Sequence, residues 1–256
     1  MKQLYIVGTG PGDPGLLSPA ARAAIAASTE LVAYPLYIDL LGGLAAGKTR
    51  HDRPLGEEIE RARLALELAA AGRVTALLSS GDAGIYAMAT LVFELLDREP
   101  KPDWQEVAIQ VIPGISAIQA TAARVGAPIA HDFCTISLSD LLTPWETIET
   151  RIRAAGLGDF VVAFYNPVSQ KRHWQLARAR DILLAHRPAD TPVVIARNVS
   201  RVTERIGLTT LGALDPAEVD MLTLVLVGNR ETRRVGDWVY TPRGYGRKLA
   251  PDLTRN

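Results

Sequence analysis

Three times in the first 117 residues a short apolar run closes on a glycine-bearing loop and passes into a helical pattern. Residues 4–7 lead into Gly8-Thr9-Gly10-Pro11-Gly12-Asp13, and residues 74–78 into Ser79-Ser80-Gly81-Asp82-Ala83-Gly84-Ile85-Tyr86. Residues 107–112 lead into Pro113-Gly114-Ile115-Ser116-Ala117. Strand, small loop and helix in repetition restrict a chain to an α/β fold with mainly parallel strands, which places ligands at the carboxyl ends of the strands. The rest of the first half agrees. Ser18 followed by Pro19 reads as a helix start running to residue 27, residues 31–34 as a strand, 57–71 as a helix stopped by Gly72, and 83–96 as a further helix.

The second half changes character. After a helix at 116–125, strands are predicted at 134–138, 160–164, 193–196, 205–210 and 222–227, with one long helix at 171–186. The last two strands are too close for a helix between them, so antiparallel pairing is expected and the second sheet should be mixed. A boundary within 113–126 divides the chain into an N-terminal α/β domain at 1–114 and a C-terminal α/β domain at 115–256, with the ligand cleft expected between them. No internal repeat and no low-complexity linker is visible.

Bulk properties narrow the function classes. The 28 Lys and Arg residues balance 28 Asp and Glu, so no global field draws the chain to nucleic acid or an anionic membrane. The single cysteine, Cys134, excludes an internal disulfide and a multi-cysteine metal site, and its apolar neighbours mark it as a core residue. No metal ligand set is expected. The first residues read as a strand rather than a signal peptide, and no apolar run is long enough to span a bilayer, so the expectation is a cytoplasmic protein.

Two nucleotide motifs fail on chemistry. The dinucleotide fingerprint requires a glycine where the first loop carries Asp13, whose carboxylate would face the pyrophosphate; Pro11 and Pro14 also remove amide donors. Gly42-Gly43-Leu44-Ala45-Ala46-Gly47-Lys48-Thr49 matches the P-loop pattern, yet the polar stretch Arg50-His51-Asp52-Arg53-Pro54 follows where a helix must begin. The second loop keeps a simpler role open, since Asp82 also suits a helix cap.

Taken together and in this order, the loops resemble those of the tetrapyrrole methylase family, whose signatures read here as Gly8 through Asp13, Ser80 through Gly84 with Ala83 replacing the usual proline, and Pro113 through Ala117 intact. Phe164-Tyr165-Asn166-Pro167, Ser169-Gln170-Lys171-Arg172, Arg197-Asn198-Val199, Val227-Gly228-Asn229, Thr241-Pro242-Arg243-Gly244-Tyr245 and Glu57-Glu58-Ile59-Glu60-Arg61-Ala62 are similar to the branch that methylates C17 of precorrin-3B with ring contraction to precorrin-4. One departure is Tyr34-Pro35-Leu36-Tyr37, where that branch more often carries a Lys-Thr pair, which puts a lysine role there in doubt.

The resemblance implies a two-domain methyltransferase of cobalamin biosynthesis, typically a homodimer, with S-adenosylmethionine as cofactor. It places Pro11, Ser80, Gly81, Asp82, Ile85, Tyr86, Ser116, Ala117, Tyr165, Asn166, Asn198 and Thr223 around that cofactor. For the many carboxylates of the tetrapyrrole, candidates are Arg50, Arg53, Lys171, Arg172 and Arg197, with Gly10 beside the ring. Ring contraction moves protons, for which His51, Asp52 and Asp82 are candidates, with no acid or base assigned. The nearest alternative is the cobalt-factor III C17 reaction of the anaerobic route. More distant ones are diphthine synthesis, ribosomal-RNA ribose methylation and a non-catalytic tetrapyrrole carrier.

Overall fold

In β1 (Gln3–Gly8), Leu4 and Ile6 face one way and Val7 the other, and all three are fully buried, so this strand needs cover on both faces. The computed structural model describes residues 2–169, 172–245 and 248, and the chain divides into two units, Met1–Ala117 and Ile118–Asn256.

After β1 the first unit runs through α1 (Pro19–Ala27), β2 (Glu30–Ala33), α2 (Pro35–Asp39), β3 (Thr49–Asp52), α3 (Glu58–Ala70), β4 (Val74–Ser79), α4 (Met88–Arg98), α5 (Pro102–Gln105) and β5 (Ala108–Ile112). The five strands form one parallel sheet in the order β3-β2-β4-β1-β5. On one face Leu4, Ile6, Val32 and Leu77 pack with Leu66 of α3, Val92 of α4 and Trp104 of α5. On the other, Val7, Leu31 and Leu78 pack with Ala21 and Ile25 of α1 and Ile38 of α2. Neighbouring strands β1 and β4 therefore send their chains into opposite layers, and the crevice this opens at their carboxyl ends is where an open α/β sheet takes ligands.

Local chemistry explains the boundaries. The Ser18 hydroxyl accepts the Ala21 N–H at 3.1 Å and Pro19 occupies the first turn, so α1 begins where the sequence signals it. Lys48 of the P-loop look-alike donates to the carbonyls of Ala26 (3.0 Å) and Ser28 (2.6 Å) at the end of α1, and the chain continues into β3 rather than a helix. That lysine closes a helix end, where a cation is favoured.

Two expectations need correction here. The helix read at 83–96 starts at Met88, because Asp82 takes the Gly84 N–H in a tight turn and Tyr86 has a left-handed φ of 51°. Of residues 50–54, read as a polar stretch, the first three join Thr49 in the edge strand β3; its four polar side chains carry no apolar alternation, so only pairing with β2 defines it.

The second unit and the junction before it contain α6 (Ala117–Val125), β6 (Gly126–Ala127), β7 (Phe133–Ser137), α7 (Trp145–Leu157), β8 (Val161–Tyr165), α8 (Gln175–Leu184), β9 (Pro192–Arg197), β10 (Arg205–Thr210), β11 (Thr223–Val227), β12 (Arg233–Val235) and β13 (Trp238–Tyr240). The main sheet is mixed, in the order β10-β9-β11-β8-β7, with β7 and β8 parallel and the other pairs antiparallel. The strands at 205–210 and 222–227 do not pair with each other; both pair with β9. Ile136, Val162, Phe164, Ile195 and Val225 pack against Ile148 and Ile152 of α7 and Leu176 and Leu183 of α8. The helix read at 171–186 is shorter, and α7 was not anticipated at all. β12, β13 and β6 form a small separate sheet. Among the described residues no helix is long and apolar enough to cross a membrane, and no cluster of three or more potential metal ligands occurs.

Candidate functional site

Parallel pairing brings the three loops of the first unit level with one another: Gly8 lies opposite Ser79, and Val7 opposite Ile112. The loops then bond directly. The Thr9 N–H donates to the Ser79 carbonyl at 2.9 Å, and its hydroxyl to the same oxygen at 3.0 Å. Gly10 and Gly81 exchange both backbone hydrogen bonds, at 3.0 and 2.7 Å. Such contact requires bare backbone. A Cβ on Gly8 would stand 2.7 Å from both Gly114 N and Gly81 O, and one on Gly114 only 2.1 Å from Gly81 O.

Asp82 completes the tie. Its Oδ1 accepts the Gly84 N–H at 2.8 Å and its Oδ2 accepts the Gly114 N–H at 2.9 Å, so one carboxylate shapes the second loop and fastens it to the third. Asp13 acts only within its own loop, accepting from Gly15 N at 2.7 Å. Pro11, Gly10 and Gly81 are buried, Ser80, Asp82 and Ala117 half-buried, Ser116 buried, and Ile85 and Tyr86 exposed. All nine belong to the first unit. The Gly10 amide is spent on Gly81.

In the second unit a corresponding set gathers at one end of the mixed sheet. Asn166 follows β8 and Asn198 follows β9, while Thr223 starts the antiparallel β11 opposite Arg197. Both asparagines have left-handed φ, 50° and 49°, a conformation that Asn tolerates better than most residues. Asn166 Nδ2 donates to Ser137 Oγ at 3.0 Å, and Asn198 Nδ2 to Thr203 Oγ1 at 3.0 Å. The Tyr165 hydroxyl accepts the Ile118 N–H at 3.2 Å. Asp220, not singled out from the sequence, takes the Thr223 hydroxyl at 2.7 Å and pairs with Arg197 Nε at 2.7 Å. The signal for it was local: an Asp three residues ahead of a strand start.

The remaining candidates are placed as follows. Arg50 pairs with Asp39 at 2.8 Å and Asp52 at 3.3 Å, and these carboxylates hold its guanidinium above the ordinary value. Arg53 donates to the Asp52 carbonyl, and the chain around it is held by the buried Arg61, whose Nη2 donates to the carbonyls of Arg53 (3.1 Å) and Pro54 (2.8 Å). His51 Nε2 lies 2.8 Å from buried Glu30, which also meets Arg73 at 3.4 Å. Asp52, at the carboxyl end of β3, is the exposed member of the three proton-transfer candidates. Arg172 is buried, and Lys171 lies outside the described residues.

Comparison with known proteins follows the same outline. The family model described as Tetrapyrrole (Corrin/Porphyrin) Methylases matches residues 3–215. A precorrin-3B C(17)-methyltransferase from Sinorhizobium sp is 44% identical over 94% of this chain and 96% of its own. A cobalt-factor III methyltransferase from Priestia megaterium is 46% identical over 98% of this chain, which spans 47% of that relative's length. The crystal structure of the methyltransferase CobJ matches with a TM-score of 0.89 at 42% identity, covering 94% of this chain and 99% of that one.

Proposed function

The chain belongs to the tetrapyrrole methylase family, and from that premise we propose that it transfers a methyl group from S-adenosylmethionine to C17 of precorrin-3B, with contraction of the ring, in cobalamin biosynthesis. The observation that carries this reading is the bonding of Gly10 to Gly81 and of Asp82 to Gly114, which makes three separate motifs one surface at the carboxyl ends of the strands.

The surface suits a nucleoside without phosphate: its loops keep small residues where a ligand backbone must approach and spend their amides on one another. Ser80, Gly81, Asp82, Ser116, Ala117, Asn166, Asn198 and Thr223 are the residues proposed to hold the cofactor. When bound, the sulfonium supplies an electrophilic methyl group. The chain's part is alignment, since a displacement that loses charge gains most from fixed geometry. Arg50, Arg53 and Arg197 are proposed to meet the carboxylates of the ring, and the chain lies too close to charge balance to favour an RNA face. Of the proton-transfer candidates, Asp82 has both oxygens engaged by N–H donors, His51 is engaged by Glu30 and Asp52 faces Arg50; Asp52 is the proposed acid or base because it is the exposed one of the three. The same reading makes the protein a cytoplasmic homodimer.

A cobalt-loaded ring is the second reading, supported by the likeness to the cobalt-factor III methyltransferase of Priestia megaterium. Titration calorimetry with S-adenosylhomocysteine tests the common ground: one site per chain with a Kd in the micromolar range or below, about −8 kcal/mol, is expected. Absence of heat and of thermal stabilisation would reject the proposal.

A further inference from the structure

One buried cation joins three loops of the second unit. Arg172 is only 4% exposed. Its backbone and that of Ser169 exchange hydrogen bonds at 2.9 and 3.1 Å. Its Nε donates to the Asn166 carbonyl at 3.2 Å, after β8. Nη1 lies 3.4 Å from Ser139 Oγ, after β7, and Nη2 lies 3.5 Å from Met221 Sδ, before β11. These acceptors are neutral. Burial pulls the guanidinium below its ordinary value, and Asp140 opposes that pull. A guanidinium this enclosed has no face left to fork onto a substrate carboxylate. What it does hold is the carbonyl of Asn166, whose backbone is left-handed with φ 50°.

We infer that Arg172 is a positioning residue: by bonding the Asn166 carbonyl it fixes the left-handed turn that presents Asn166 to the cofactor. The identity of that ligand rests on the proposed function; the holding of the turn does not. This differs from the substrate contact that the Ser169-Gln170-Lys171-Arg172 run implied from sequence.

The test uses the full chain and the variant R172M, which keeps an apolar stem and loses every donor. Two readouts are taken. In ligand-free protein, backbone hydrogen exchange over residues 164–169 is expected to accelerate about tenfold or more, the loss of a hydrogen bond to a charged group. The Kd for S-adenosylhomocysteine, measured with no tetrapyrrole present, is expected to rise about tenfold. R172K, with one donor able to reach the same carbonyl, should recover part of both, and it decides the question by the same readouts should R172M not fold. Unchanged exchange overturns the inference. Unchanged cofactor affinity with a raised tetrapyrrole KM overturns it in favour of direct substrate contact. If the unsubstituted protein does not bind S-adenosylhomocysteine, the methyltransferase reading fails, while the exchange result still decides whether Arg172 holds the turn.

Discussion

Gly114→Ala is expected to abolish S-adenosylhomocysteine binding and to lower the melting temperature by roughly 6–12 °C, from about 3 kcal/mol of overpacking. The added carbon would sit 2.1 Å from the Gly81 carbonyl oxygen and 2.7 Å from Gly8 C and O, against the main chain of both other loops. No rotamer relieves it, because the obstacles are main chain. The third loop must withdraw from the other two, and the Asp82–Gly114 bond goes with it. Gly43→Ala is the control. Its Cβ meets nothing within 4 Å, so the melting temperature should change by no more than about 1–2 °C and affinity not at all. Differential scanning fluorimetry and calorimetry on both variants check this. A Gly114→Ala protein that binds like the parent would show that the three loops need not touch.

Asp82→Ala is expected to weaken S-adenosylhomocysteine binding by about 10- to 100-fold while leaving the first unit folded. Two N–H donors lose a charged acceptor, each such bond contributing about 1.5–3 kcal/mol. The strands beneath are untouched, since the core under the loop is built from Leu77, Leu78, Val7 and Ile6. The cost therefore falls on loop order, and through it on affinity. Asp82→Asn keeps an acceptor for one donor and should fall between. Calorimetry with circular dichroism separates the two effects: unchanged affinity removes Asp82 from the site, and loss of the fold assigns it to stability alone.

The fold and the site were legible to different degrees, for identifiable reasons. Strands β1, β4, β9 and β11 read directly because they are buried on both faces and write themselves as continuous apolar runs. Edge strand β3 did not, since Thr49, Arg50, His51 and Asp52 pair along one side only and carry no apolar pattern. Helix α7 was missed although Ile148, Ile152 and Ala155 follow helical spacing, because charged residues crowd between them. The loops were visible as motifs, but their mutual bonding was not: nothing in a linear sequence says that the backbones of these loops leave no room for a Cβ at Gly8 or Gly114. The same holds for Asp220 and Arg172, whose roles depend on segments distant in the chain. A basic residue near a polar loop reads as a ligand contact; only its burial shows Arg172 to be a brace.

Mass spectrometry of the product decides whether the protein transfers a methyl group. With S-adenosylmethionine carrying a deuterated methyl group, precorrin-3B incubated with the protein should yield a ring-contracted product bearing one labelled methyl. A parallel incubation with the cobalt-containing ring distinguishes the two routes. Unaltered tetrapyrrole in both, with the cofactor bound and unconsumed, would rule out methyl transfer and leave a protein that binds without turning over.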